Sequence, residues 1–268
     1  VDISDADLLA ALKLQLDWGV DETLSDTPID RRVRAPAQAE APAPAQEQAV
    51  AASIPRAATP PPAVMSGTAA DRARAVAAEA RTVAELQAAL AAFDGCALRD
   101  TAAHTVFAEG DPSTGTLLIG DVAGADEDRG GRVFAGADGA FLDRMLASIG
   151  LDRTRVHCAM LVPWRPPGGR VPSEREIATC LPFLCRYIAL TKPARILLLG
   201  ALSARALLGR PDRRRDAVAW REATVDGMAA PVRALAIETP ARIMQSANAK
   251  RAAWAALRLL RRDLPTHT

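Results

Sequence analysis

The sequence predicts an α/β protein, a three-layer α/β/α arrangement around a central, mostly parallel sheet of four strands. Three observations lead there. Short apolar runs of strand length recur at residues 116–120, 156–162, 194–199 and 231–237. Helical patterns of ten or more residues separate or follow them, which is the alternation that parallel sheets require. Loops rich in glycine, proline and arginine follow the runs, as expected where a parallel sheet presents its ligand-binding end.

The elements follow in order. Helical pattern begins near Ala69, runs through Ala80, and resumes at residues 83–93 behind the Thr82 cap. The first strand is residues 116–120, and an amphipathic helix with Phe141, Leu142, Met145, Leu146 and Ile149 on one side spans 138–149. After the strand at 156–162, Ser173 opens a helix with Glu176 three residues on, the signature of a capping box. That helix reaches about Leu190. The strand at 194–199 passes directly into a helix at 202–208, and the strand at 231–237 leads to a closing helix at 246–262.

Ahead of this domain, assigned to residues 69–264, lie two further segments. Residues 1–27 form a short N-terminal helical segment, with Leu8, Leu9, Leu12, Leu14 and Leu16 at near-helical spacing behind Ser4 and Asp5. It is either a helix packed loosely on the domain or a docking peptide for a protein partner. Residues 28–68 are an Ala/Pro-rich linker that cannot bury a core and is expected to be disordered.

The 268 residues carry a formal net charge of +1, so DNA contact would depend on local basic loops, not on a global field. No apolar run reaches transmembrane length and the acidic N-terminus does not resemble a signal peptide, so a cytoplasmic monomer with no membrane contact is expected. Cys96, Cys158, Cys180 and Cys185 include no C-x-x-C pair and are expected to be buried thiols.

Three loops hold the unusual residues. The first is Gly120-Asp121-Val122-Ala123-Gly124, continuing through Glu127 and Asp128 to Phe134 and Gly136. Two glycines flanking a carboxylate suit close approach of backbone N–H groups to a ligand, although an acidic turn would read the same way. The second is Trp164-Arg165-Pro166-Pro167-Gly168-Gly169-Arg170, and the third is Thr239-Pro240-Ala241-Arg242-Ile243-Met244-Gln245. Alone, these describe an anion-binding α/β domain.

Read together, the loops resemble the family-4 uracil-DNA glycosylases of bacteria and archaea. The family's first motif, roughly G-E-A-P-G-x-x-E-D-x-x-G-x-P-F-x-G, is matched by Gly120, Asp121 in the glutamate place, Gly124, Glu127, Asp128, Gly131, Phe134 and Gly136. L-D-x-M-L follows as Leu142-Asp143-Arg144-Met145-Leu146, and R-P-P-G-N-R as Arg165 to Arg170 with Gly169 in the asparagine place. The resemblance implies a uracil-DNA glycosylase-like fold, with DNA as partner, base flipping, and hydrolysis of the N-glycosidic bond of deoxyuridine in base excision repair. It makes Asp121 the water-holding carboxylate and Phe134 the ring that stacks on the base. Val122, Ala123 and Gly124 become backbone contacts to base and phosphate, while Arg165, Arg170 and Arg242 are expected beside DNA phosphates.

The departures fall on chemistry. Met160 stands where the family has the asparagine that reads the uracil edge, and a thioether cannot make paired donor and acceptor contacts. Thr239 replaces the oxyanion-stabilising histidine, and Ala123 replaces a proline. Of four family cysteines that hold an iron–sulfur cluster, only Cys96 and Cys180 are present, with Phe93 and Trp164 in the other places. A cluster of this type needs four ligands, so neither cluster nor other metal is expected. His157, three residues before Met160, is expected to point to the opposite face of its strand. Trp164 is expected to fill the vacated cluster space or to stack on nucleic acid. Three readings therefore remain: a working glycosylase, a catalytically impaired glycosylase-fold protein acting as a DNA-binding or partner-docking module, or a decaying gene product.

Overall fold

The computed structural model describes residues 68–209 and 218–264; the expected N-terminal helix and the linker lie outside them. The described chain runs α1 (Ala69–Glu79), α2 (Val83–Ala92), β1 (Ala108–Gly110), β2 (Thr116–Val122), α3 (Ala125–Gly130), α4 (Gly136–Ala147), β3 (His157–Val162), α5 (Glu174–Thr191), β4 (Arg195–Leu199), α6 (Ala201–Leu208), β5 (Arg221–Ala223), β6 (Val232–Ile237), α7 (Pro240–Gln245) and α8 (Ala247–Asp263).

The sheet has six strands in the order β1-β3-β2-β4-β6-β5, which corrects the expected four. The four expected strands are its parallel centre, β3-β2-β4-β6. The two added strands are antiparallel edges of three residues each. Three residues are too few for a hydrophobic period to register.

Central strands read as near-continuous apolar runs because both faces are covered. The alternation remains visible in the packing. Cys158, Leu118, Leu197 and Leu235 are register neighbours across β3, β2, β4 and β6 and point to one face. There they pack with Leu142 and Leu146 of α4, Ile243 of α7, and Ala253, Leu257 and Leu260 of α8. The residues one step along, including Ile119, Ala159, Leu161 and Leu198, point to the other face, toward Leu86 and Leu90 of α2 and Phe183, Leu184 and Ile188 of α5. The result is three layers.

Helix starts follow their caps. Ser173 accepts a hydrogen bond from Glu176 N–H while Glu176 accepts from Ser173 N–H, completing the expected box. Thr68 forms the same box at α1, while Thr82, Thr239 and Ser246 cap α2, α7 and α8 by accepting the backbone N–H three residues on.

Strand order also fixes where a ligand belongs. From β2 the chain moves to β3 on one side, and later elements β4 and β6 lie on the other. Crevices form where neighbouring strands send their connections in opposite directions. Here that point is between the carboxyl ends of β2 and β4.

Candidate functional site

Asp121 lies at this switch point. The pairing of β2 with β3 extends to Val122 opposite Val162, so Asp121 and Val122 are strand residues and not part of the loop, two positions beyond the expected end. The Asp121 carboxylate reaches across to the first turn of α6. Oδ2 accepts from Leu202 N–H at 3.1 Å, and Oδ1 accepts from Ser203 N–H at 2.8 Å and Ser203 Oγ–H at 2.7 Å. The unsatisfied N–H groups and positive end of a helix dipole suit an anion there. Gly200, immediately before α6, has φ +141°, and a Cβ on it would fall on the Asp121 carboxylate. A glycine is therefore required on two counts, backbone conformation and space.

Gly200 and Ser203 were missed in the sequence as positioning residues. The signal was present: an apolar strand that passes through glycine directly into a helix leaves N–H donors at the strand end.

Asp121, Val122, Ala123 and Gly124 line one wall of an open cleft of about 450 Å³. Arg165, Arg170 and neighbouring loop residues line another, and Leu202 and Thr239 close it. The cleft thus gathers seven of the ten residues singled out from the sequence. Thr239 Oγ1 accepts the Arg242 N–H at 3.3 Å as the cap of α7. Its own hydroxyl hydrogen remains free to donate into the cleft.

Phe134, Met160 and Arg242 are not among the cleft-lining residues. Phe134 is buried in the left-handed region at φ +52°, a conformation that costs a non-glycine residue about 1–3 kcal/mol. Surrounding contacts hold it there. Arg153 donates to the carbonyls of Val133 and Phe134 at 3.1 and 2.9 Å and places its guanidinium 5.7 Å from the phenyl centroid. The Phe134 carbonyl also lies where a Cβ on Gly139 would stand.

Met160 is buried against the same ring region: a Cβ on Gly120 would lie 2.7 Å from Met160 Sδ and 2.9 Å from Phe134 Cε1. Arg242 is exposed on α7.

The loop between Asp121 and Phe134 contains the helical turn α3 and is braced by its own acids. Glu127 accepts from Gly124 N–H and Ala135 N–H, both at 3.0 Å, joining the two ends of the loop. Asp128 accepts from the backbone N–H groups of Ala103 and His104. Both carboxylates are buried, and their role is structural.

The two cleft arginines differ. Arg170 makes a bidentate pair with Glu176 at 2.9 and 2.7 Å. Its guanidinium, with the Ser173 donors, draws the Glu176 carboxyl down to about 2. Arg165 makes no ion pair among the described residues and faces the cleft.

His157 points to the face opposite Met160. Its Nδ1 lies 3.0 Å from the Tyr187 hydroxyl of α5, and burial lowers its pKa to about 4. It is neutral and remote from the cleft.

An iron–sulfur cluster does not fit the donor set. Cys96 and Cys180 are both buried in the core, and Phe93 and Trp164 offer no ligand atom. Phe93 stacks edge-on with Phe183 at 5.3 Å. Trp164 is fully buried and donates its indole N–H to Thr105 Oγ1 at 3.1 Å, so it is unavailable for stacking on nucleic acid. Among the described residues no group of three or more His, Cys, Asp or Glu side chains is arranged to hold a metal ion.

Fold and cleft together define an α/β protein with a fixed carboxylate at the switch point of a parallel sheet, facing arginine-bearing loops. The family model of the uracil DNA glycosylase superfamily matches residues 107–258, and the chain belongs to that superfamily. It is similar to the type-4 uracil-DNA glycosylase of Pyrobaculum aerophilum, 38% identical over 46% of this chain and 63% of that protein. It is likewise similar to the type-4 enzymes of Sulfurisphaera tokodaii, 36% identical over 43% of this chain and 53% of the relative, and Thermotoga maritima, 35% identical over 40% and 55%. The matched stretch thus spans between about half and two thirds of the length of these relatives.

Proposed function

We propose that this protein is a DNA-repair glycosylase that hydrolyses the N-glycosidic bond of a flipped-out deoxyuridine without an iron–sulfur cluster. The observation that carries this reading is the Asp121 carboxylate, held by three donors from α6 at the mouth of the cleft. Glycosidic cleavage of this kind develops positive charge on the sugar and negative charge on the departing base. A fixed carboxylate serves the first need: it stabilises the oxocarbenium-like sugar and orients the attacking water. Oδ2 accepts one hydrogen bond from the chain, so a lone pair remains for that water. The Thr239 hydroxyl and the cleft-wall N–H groups would donate to the departing base anion. Arg165, with no carboxylate partner among the described residues, would hold a flanking phosphate.

Phe134 would stack on the base only after its surroundings open, because it and Met160 are both buried and close on Gly120. Methionine has three rotatable bonds and yields easily, so the pocket can open, but it reads no base edge. Selection of uracil would then rest on shape and main-chain contacts.

The test is excision from single- and double-stranded oligonucleotides carrying one uracil. Abasic product is expected, and its absence at stoichiometric protein would overturn the reading. The buried Met160 favours a second reading, a glycosylase-fold protein that binds DNA or a protein partner without turnover. That reading requires DNA affinity that survives Asp121→Ala together with no abasic product.

A further inference from the structure

Helix α8 carries Lys250, Arg251, Arg258, Arg261 and Arg262 against a single acid, Asp263. That acid is already bound by Arg195 of β4 and Arg233 of β6. On the exposed side of the helix stands Trp254, 49% exposed. An indole left in water at that extent forgoes burial that aromatic residues usually obtain. Beside it a groove of about 230 Å³ runs between α4 and α8. Met145, Ile243 and Leu257 lie at its base, and Phe141 and Trp254 are its aromatic walls. Arg144 and Lys250 are its charged lining residues, and no carboxylate lines it. The Arg144 guanidinium rests 5.6 Å from the Phe141 ring centroid.

Helix α7 links the groove to the cleft. Ile243 belongs to α7, whose cap Thr239 lines the cleft. The two positions are four apart in sequence, about 6 Å along the helix axis.

We propose that this groove holds single-stranded DNA flanking the nucleotide in the cleft, with one unpaired base against Trp254 and phosphates on Arg144 and Lys250. The proposal rests on reading the cleft as a DNA site. Three features favour a DNA strand. Every base offers a π-face to an exposed indole irrespective of sequence, and arginine or lysine on either side matches the phosphates of one strand. The groove has room for one ring, not for a docked helix. Its continuity with the cleft through α7 places it where a strand leaving that cleft would run. An acidic peptide with an apolar anchor would satisfy the charge and the ring but not the continuity.

The experiment uses the full chain and fluorescein-labelled oligo(dT), which contains no uracil, read by anisotropy over a salt series. Trp254→Ala is expected to weaken binding about tenfold, with Trp254→Phe recovering most of it. Replacing Arg144 and Lys250 together by Gln should flatten the slope of log K against log salt by about 1.4, two single-strand contacts. Circular dichroism should show both variants folded, since these side chains are exposed. Equal oligo(dT) affinity in wild type and Trp254→Ala overturns the proposal, whatever happens to uracil. So does loss of binding to a Glu/Phe-rich peptide in Trp254→Ala with DNA affinity intact. Oligo(dT) bound through Trp254 by a protein that leaves uracil DNA uncut supports the groove and overturns only the cleavage reading.

Discussion

The carboxyl ends of β2 and β3 lie side by side in the sheet, with Gly120 paired to Met160, and their chemistry differs sharply. At the β2 end a charged side chain is fixed by three hydrogen bonds from a neighbouring helix, with a glycine cleared to admit it. At the β3 end an apolar side chain fills space by contact alone and carries no donor. A similar divide separates the braced loop at 124–135 from Thr239, the cap of α7 two residues beyond β6. Glu127, Asp128 and Arg153 secure the loop through backbone groups, so its shape does not depend on which side chains face the cleft. The hydrogen-bonded framework of the cleft and the side chains that fill its neighbourhood are therefore separable in this protein. One can be intact while the other is altered.

The most severe way to break the contrast is Asp121→Ala. Single-turnover excision should fall by about 10²–10⁴ if the carboxylate positions water, and an unchanged rate would remove Asp121 from the mechanism. Next in size is repair of the other side: Met160→Asn with Thr239→His should raise excision by about 10²–10³, the usual worth of an oxyanion donor. The new asparagine should cost about 1–3 kcal/mol of stability where it lacks a partner. No gain in rate would mean that the pocket is limited by shape, not by missing polar groups.

Gly200→Ala attacks the framework itself. The added methyl collides with Asp121 in a left-handed backbone, which should cost about 2–3 kcal/mol. Thermal melting should move down by roughly 5–10 °C, with excision falling further than stability because the carboxylate is displaced. The smallest effect concerns Glu176, held near 2 by Arg170 and the Ser173 donors. Its folded pKa lies below the unfolded value of about 4.5. The stabilisation is therefore complete above pH 4.5 and is lost as pH falls through about 2. Arg170 is half exposed, so the difference between wild type and Glu176→Gln in acid melts should stay below about 1 kcal/mol.

The central strands were legible because burial on both faces forces continuous apolar runs, and α5 because Ser173 and Glu176 announce its start. The edge strands β1 and β5 were not, since three residues carry no period. Within the site, sequence order identified Asp121 and the loops that meet at the cleft, but not what holds the carboxylate. Leu202 and Ser203 lie some eighty residues away and are joined to it only by strand order. Nor could spacing alone show that Phe134 is buried near Gly120 and not open to the cleft, or that Arg170 is already paired with Glu176.

Those two short edges have a consequence for the molecule among its neighbours. A sheet ending in a long, open parallel strand presents a row of unpaired backbone groups to which another chain can add. Here each flank ends in a three-residue strand running against its neighbour, and these strands carry Glu109 on one side and Arg221 and Glu222 on the other. Short, charged borders discourage strand-by-strand stacking between molecules. The same brevity that hid these strands from the sequence limits how far one copy can extend the sheet of another.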